Sequence, residues 1–515
     1  MLYPIGIQSF EIIRKEGYVY VDKTALIHEM VKTGMYYFLS RPRRFGKSLL
    51  VSTLDAYFNG RKELFEGLRI AELEKEWIQY PVLHLDLSGK AYDKPDVLEK
   101  VLDDILSKWE SQYGCVNRSG VPGIRFGNII QAAFERTGKR VVVLVDEYDK
   151  PILDTVDKPE ISDLYTIQLQ GFYSVLKEKN DYIQFAFLTG VTKIGKLSIF
   201  SGLNNLIDIS MDRTYADICG ISQKELVEYF SESVHELAVT EGLSDTACMQ
   251  KLEEMYDGYH FHHNADGVYN PFSLFNTLKS KEFGEYWFAT GTPTFLIKAI
   301  KDTNYNINRL EEDQVGADDL TNVGSALINP VSYLYQSGYL TLKGFDPEFR
   351  LYKVGFPNKE VKDGFLLSLL NYYVPNQDES ANSLIAKMIR DVRDGRPDDW
   401  MRRLLALFAK TPYQIQGESE KDFQYAMLTI INLMGEHVKA TAEKVTSEGR
   451  IDIQIETEKY IYIVEIKTND SVDAALKQID DKHYSRQFAD DPRRLFKIGV
   501  KFSSKSRGIE EWRVV

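Results

Sequence analysis

The feature that most constrains this chain is a joint near its start. The apolar run Tyr36–Leu39 leads into Arg41-Pro-Arg-Arg-Phe-Gly-Lys-Ser48, and an apolar-periodic stretch, Ser48–Phe58, follows at once. A strand that delivers a glycine, a lysine and a serine to the first turn of a helix brings backbone N–H groups and an ammonium to one point, the arrangement that cradles phosphate. Around this joint, residues 1–215 alternate strand-like runs with amphipathic stretches. The runs are Tyr36–Leu39, Val82–Leu87, Arg140–Val145, Gln184–Leu188 and Leu206–Met211. The alternation predicts an α/β domain, a parallel sheet covered by helices. Residues 91–135 read as helical material inserted between two strands.

A full phosphate loop reads GxxxxGK[ST]. Gly46, Lys47 and Ser48 match it, and Arg41 stands where the first glycine would be. Gly46 lets the backbone approach a phosphate closely. Lys47 is expected to reach the β- and γ-phosphates and Ser48 to hold Mg²⁺, with Arg43, Arg44 and Phe45 completing the nucleotide-contacting loop. Downstream, the apolar strand Val141–Val145 delivers Asp146 and Glu147. Asp146 is placed to bind Mg²⁺ directly or through water, and Glu147 to orient or activate an attacking water. A third strand ends at Thr189-Gly190, where Thr189 could sense the γ-phosphate. Pro42 restricts Arg41 to extended conformations, so ATP binding is the expectation and hydrolysis is left open. Asp22 and Lys23 either contact the base or form a turn, the turn being favoured. Arg213 could serve as an arginine finger, although a solvated arginine is the simpler reading.

The pattern turns helical from Ile221, where Ser222 and Glu225 form a capping box. Thr292-Pro293 reads as the cap and first turn of a helix through Ile300. The expected plan is a P-loop ATPase-like domain over 1–215 and a helical lid over 216–285. A mostly helical region, for which a winged helix is one form, covers 286–410, and a restriction-endonuclease-like αβ domain covers 411–515. In that last part, Phe423, Ala426, Met427, Ile430, Ile431 and Met434 mark a helix with one buried face. Strands at Arg450–Ile455 and Ile461–Lys467, a helix around Asp473–Phe488 and a strand at Leu495–Phe502 complete an αββ(β)αβ order.

A second constellation lies there: Asp452, Glu465 and Lys467. Strand side chains alternate, so Glu465 and Lys467 share a face while Ile466 packs into the core. Two adjacent strands can bring Asp452 beside them. Two hard carboxylates suit Mg²⁺, to which the Ile466 carbonyl could add a ligand, and a nearby lysine can position water or stabilise a phosphorane-like transition state. Glu436 could add a ligand, but a solvated helix end is the better reading. Lys482, His483, Arg486, Arg493, Arg494, Lys497, Lys501, Lys505 and Arg507 form a basic segment that could track a phosphate backbone.

The stretches IGIQSFEIIRKEGYVYVDKT, SRPRRFGKSLLVSTL, VLVDEYDKPI and FLTGVTKIGKLSIFSGLNNL resemble the AAA-ATPase-like domain family of bacterial proteins. YNPFS and YWFATG are further echoes. Members commonly carry a PD-(D/E)XK nuclease domain at the carboxy terminus, and Asp452…Glu465-Ile-Lys467 matches that superfamily's D…ExK pattern. Nucleases of this type add a glutamine and a tyrosine on the following helix, and Gln478 with Tyr484 fits that QxxxxxY, so the resemblance implies that Gln478 supports the site. The resemblance implies ATP binding, and it makes Arg41 the family's own form of the loop.

The net charge of −13 argues against a surface that binds nucleic acid all over, without excluding a local basic groove. Three scattered cysteines suggest neither a disulfide framework nor a zinc site. No signal peptide or membrane-length apolar run is seen, so a cytoplasmic location is expected. The expected activity is ATP-regulated, Mg²⁺-dependent cleavage of nucleic acid, DNA being the expected form, by a chain that could form homo-oligomers. The rivals are a nucleotide-dependent switch, or an NTPase scaffold of a mobile element or defence system, without nuclease turnover.

Overall fold

The computed structural model describes residues 1–116, 119–193, 199–200, 203, 205–288, 296–297, 300, 314–321, 330–373, 381–409, 420–435, 437–446, 449–468, 470–503 and 508–515. The chain divides into two compact units, Met1–Gly291 with Glu311–Val361, and Thr292–Leu310 with Lys362–Val515.

The first unit is built on five parallel strands: β1 (Tyr36–Ser40), β2 (Val82–Asp86), β3 (Val141–Asp146), β4 (Ile183–Gly190) and β5 (Ile207–Asp208). Their spatial order is β2-β3-β4-β1-β5. β3 and β4 are almost wholly buried, as continuous Val, Ile and Phe runs require of strands covered on both faces. Helix α1 (Lys47–Phe58) leaves the β1 loop, and α2 (Val97–Tyr113) and α3 (Pro122–Thr137) fill the insertion between β2 and β3. β5 is shorter than its apolar run. Only Ile207 and Asp208 pair with β1, and then the Ser210 hydroxyl takes the Ser40 amide at 2.9 Å, ending the ladder.

Three further helices follow: α4 (Gln223–Glu241), α5 (Asp245–Tyr256) and α6 (Pro271–Ser280). The capping box forms as read: Ser222 accepts from the Glu225 amide while Glu225 accepts from the Ser222 amide. Asn270 caps α6, its side-chain oxygen accepting from Phe272 and Ser273. The region read as mostly helical also holds an antiparallel sheet of β6 (Gln314–Gly316), β7 (Thr341–Asp346) and β8 (Leu351–Gly355), with α7 (Pro330–Ser337) before the β7–β8 hairpin. Helix α8 (Lys359–Tyr373) begins in the first unit, and its residues from Lys362 belong to the second. Thr292-Pro293 lies outside the described residues.

In the second unit, α9 (Ala381–Arg393), α10 (Pro397–Ala409) and α11 (Glu420–Gly435) precede a mixed sheet. Its strands, in both chain and spatial order, are β9 (Lys439–Thr446), β10 (Gly449–Glu456), β11 (Tyr460–Thr468), β12 (Arg494–Ser503) and β13 (Gly508–Val514). β11 and β12 are parallel, and the other pairs are antiparallel. On α11, Met427, Ile430, Ile431 and Met434 are buried. The crossover helix α12 (Val472–Asp481) is shorter than the expected Asp473–Phe488. His483 takes a left-handed φ of +46° and the chain tightens into a 3₁₀ turn, Tyr484–Phe488. Close packing of α12 on β12 rests on Gly499, where a Cβ would stand 2.7 Å from the Val472 carbonyl.

Candidate active sites

In the first unit, a cleft of about 400 Å³ opens over the β1–α1 loop. Arg43, Arg44, Gly46, Lys47, Ser48 and Glu147 line one part of it. The sign of φ alternates along the loop, +69° at Arg44 and +88° at Gly46 with Phe45 between them in the ordinary range. Such alternation turns successive N–H groups into one concavity, the geometry of an anion-binding nest. Lys47 is buried, and its ammonium donates to the carbonyls of Arg41 and Pro42 at 3.0 Å each. Burial lowers its pKa, against the attraction of Asp146, Glu147 and Asp149. Burial raises Asp146, against a hydrogen bond with Ser48 and the Lys47 charge. Ser48 and Asp146 therefore stand together as the pair of hard oxygens that a phosphate-bound Mg²⁺ needs. Glu147 is also raised by burial, and its left-handed backbone (φ +52°) is held by its own amide donating to Asp146 Oδ1 at 3.0 Å.

Several expected contacts fall elsewhere. Thr189 is fully buried, and its hydroxyl donates to the Leu39 carbonyl on β1 at 2.9 Å, so it is committed within the sheet. The Phe45 side chain is in the core against Tyr259 and Phe261. Arg41 lends no charge to the cleft surface. It is buried over the Phe261 ring and donates to the carbonyls of Ser40, Ser210 and Tyr215 at 3.0, 2.7 and 3.0 Å, with burial holding it down at about 10. Asp22 shapes a turn by accepting from Thr24 and the Arg69 amide, and Lys23 pairs with Glu225. Arg213 lines a separate polar cleft.

Sequence reasoning did not assign the rest of this cleft's lining. Pro4–Gln8, Ser88, Gly89 and, from α6, Pro271, Phe272 and Phe275 line it. Asp86, in register with Asp146 across β2 and β3, was missed too. The stretches IGIQS and YNPFS, with the aromatic pair Phe272/Phe275 at i, i+3, were the legible signs of this lining.

In the second unit, β10 and β11 pair from Glu456↔Ile461 to Ile453↔Val464 and then run on without pairing to each other. Continuing that register sets Asp452 opposite Glu465, on one face. Where the strands part, Asp452 Oδ2 accepts from the Ile466 amide at 2.7 Å. In a strand the carbonyl shares the amide's edge, so Ile466 presents its carbonyl to the same gap. The Ile466 side chain is only half-buried rather than a core residue. Glu465 is buried, with Oε1 held by Lys467 Nζ at 3.1 Å and by the Gln478 amide, while Gln478 Oε1 accepts from Lys467 at 2.6 Å. Its Oε2 is buried without a hydrogen-bond partner among the described residues. Burial, and then the charge of Asp452, push Glu465 up to about 7. An orphaned carboxylate oxygen beside a second carboxylate fits a divalent cation, which would satisfy the oxygen and relieve the repulsion.

Tyr484 does not join this pocket. It is buried, and its hydroxyl donates to the Arg450 carbonyl at 2.8 Å. The basic segment is not uniformly free either. Arg493 pairs with Glu456 and Asp491, Lys497 with Asp480 and Lys501 with Glu510. Lys482, His483 and Arg494 remain exposed. Glu436, Lys505 and Arg507 lie outside the described residues.

Two family models match the chain, one in each of its end regions. Residues 4–200 match the family model described as a predicted AAA-ATPase, and residues 418–512 match that of the PD-(D/E)XK nuclease superfamily. A protein described as the uncharacterized protein in the vnfD 5' region of Azotobacter chroococcum mcd 1 is 34% identical over 520 residues, covering 98% of this chain and 97% of the relative. No helix among the described residues is long and apolar enough to cross a membrane.

Proposed function

This chain belongs to the family of predicted AAA-ATPases that carry a PD-(D/E)XK nuclease superfamily domain, and on that premise we propose that it is an ATP-regulated, divalent-metal-dependent nuclease acting on DNA. The observation that carries the reading is the convergence of Asp452, Glu465, Lys467 and Gln478, with one carboxylate oxygen of Glu465 orphaned in the buried pocket.

Asp452 and Glu465, with the Ile466 carbonyl, are the residues that would hold Mg²⁺. The bound cation supplies Lewis-acid activation of water and neutralises charge on the scissile phosphate. Lys467 places its Nζ beside the pocket, toward the negative charge that develops on the phosphorane, and Gln478 fixes both Lys467 and Glu465 in place. At the other site, Lys47, Ser48, Asp146 and the loop amides of 43–48 are the groups that would hold a triphosphate and its Mg²⁺, and Glu147 would orient water. Ile5, Ile7, Phe272 and Phe275 give the cleft the apolar surface that a nucleobase prefers.

The direct test is cleavage of plasmid and single-stranded DNA by the purified protein with Mg²⁺ or Mn²⁺, with and without ATP, beside Glu465→Ala. Metal-dependent cutting that the variant lacks, at a rate altered by ATP, is the expected result. Equal cutting by the variant would assign the activity to something other than this pocket.

A further inference from the structure

An indole reaches the phosphate loop from outside it. Trp287 is buried, and its Nε1–H donates to the Arg43 carbonyl at 3.2 Å. Its own amide donates to Glu360 Oε1 at 2.7 Å, and Glu360 Oε2 accepts from the Ser273 hydroxyl at 2.7 Å. Ser273 lies on α6 between Phe272 and Phe275, which line the nucleotide cleft. Glu360 is 1% exposed and is the second residue of α8, where a carboxylate also suits the positive end of the helix. One carboxylate thus ties the cleft's aromatic wall and, through Trp287, its phosphate loop to the first turn of α8.

The loop has a reason to move when it is filled. Lys47 now bonds the carbonyls of Arg41 and Pro42, the two that precede the carbonyl held by Trp287. A triphosphate that draws the ammonium away frees both, and the backbone they belong to is the backbone the indole grips. On one side that backbone is fixed: Gly338, at φ +88°, abuts Pro42 so closely that a Cβ there would stand 2.6 Å from the proline ring. Adjustment is therefore directed toward Arg43 and its indole partner.

We propose that Trp287 and Glu360 are positioning residues that carry nucleotide occupancy of the phosphate loop to α8, so that binding of a nucleoside triphosphate changes the opening equilibrium of the α8 turns. The inference rests on the nucleotide-binding reading of the cleft, and it is independent of whether the second unit cuts nucleic acid. α8 is the element suited to this role, because it begins at Glu360's anchor and continues as part of the second unit.

The test is hydrogen exchange of the full chain with and without MgATP or its β,γ-imido analogue, alongside a fluorescent-ATP titration. In the wild type, nucleotide is expected to change exchange of the α8 amides several-fold. Trp287→Phe keeps a ring against Tyr339 but loses the donor. It should weaken nucleotide binding by less than about tenfold, the size of one neutral hydrogen bond, and abolish the α8 response. Glu360→Ala should do the same. Glu360→Gln should restore the response, because its oxygen can accept from the Trp287 amide while its amide donates to Ser273. Wild-type protein that binds nucleotide with no change in α8, or Trp287→Phe that keeps the change, overturns the relay. If Glu360→Ala does not fold, Trp287→Phe decides alone. Wild-type protein that binds no nucleotide removes the reading on which the relay stands, and the relay with it.

Discussion

Asp452 on β10 and Glu465 on β11 each lie one residue beyond the last pair of their ladder, and the charge of the first helps to push the second up to about 7. A cation shared by the two must displace the Glu465 proton. At limiting Mg²⁺, cleavage is therefore expected to rise with pH through about 7, and saturating metal should move the rise to lower pH. A pH–rate profile at two metal concentrations checks this. A profile that ignores metal concentration would separate Glu465 from the metal.

Lys467 and Gln478 should differ in degree. Lys467→Ala removes charge beside the reacting phosphate, and a loss of roughly 10²–10³-fold in cleavage rate is expected. Gln478→Ala leaves the charged groups but frees their positions, so a loss of about 10–100-fold is expected, much of it recoverable at high metal. Single-turnover cleavage across a metal titration separates the two effects.

Thr189 and Lys47 form a contrasting pair. Lys47→Ala should abolish ATP binding. Thr189→Val should leave ATP affinity nearly unchanged and lower stability by about 1 kcal/mol, because its hydroxyl serves the Leu39 carbonyl. A nucleotide titration with a thermal melt of each variant reads both quantities. Lost ATP binding in Thr189→Val would return that residue to the nucleotide.

Arg41→Gly would recreate the usual first glycine of a phosphate loop, yet it is expected to harm the protein. It leaves the Ser210 and Tyr215 carbonyls without the guanidinium and opens a hole over Phe261. A loss of about 3 kcal/mol or more in the first unit is expected from the unmatched buried groups and the cavity. A melt as high as the wild type's would contradict this account.

Burial pushes Glu360 from 4.5 up to about 7. Between those values the folded chain holds a proton that the unfolded chain has released, so this group makes stability fall as pH rises through the window. Glu360→Gln removes that slope, and at pH 8 it should be more stable than the wild type by an amount on the order of 1–3 kcal/mol. Melts at pH 5 and pH 8 measure the difference. Identical pH dependence of the two proteins would show that the carboxyl is already charged at pH 5.

Local patterns settled much of this protein before any folding. The run Val141–Val145, short, rich in β-branched residues and apolar at every position, reads as a strand covered on both faces, with Asp146 emerging at its end. Ser222 with Glu225 stated where a helix starts, and the i, i+2 spacing of Glu465 and Lys467 put both on one face. These signals are carried by neighbours in the chain, so periodicity and capping chemistry suffice to read them. The tertiary structure alone decided what each exposed-looking polar group would meet. Thr189 found the Leu39 carbonyl 150 residues away, Tyr484 found Arg450, and Arg41 found Ser210 and Tyr215. It also decided that Pro4–Gln8 and Phe272 would wall the same cleft, and that β10 and β11 would part where Asp452 takes the Ile466 amide. A sequence fixes which face of its own element a side chain occupies. Which distant backbone arrives at that face depends on how the elements pack, and a buried hydroxyl or guanidinium must take whatever acceptor the packing brings.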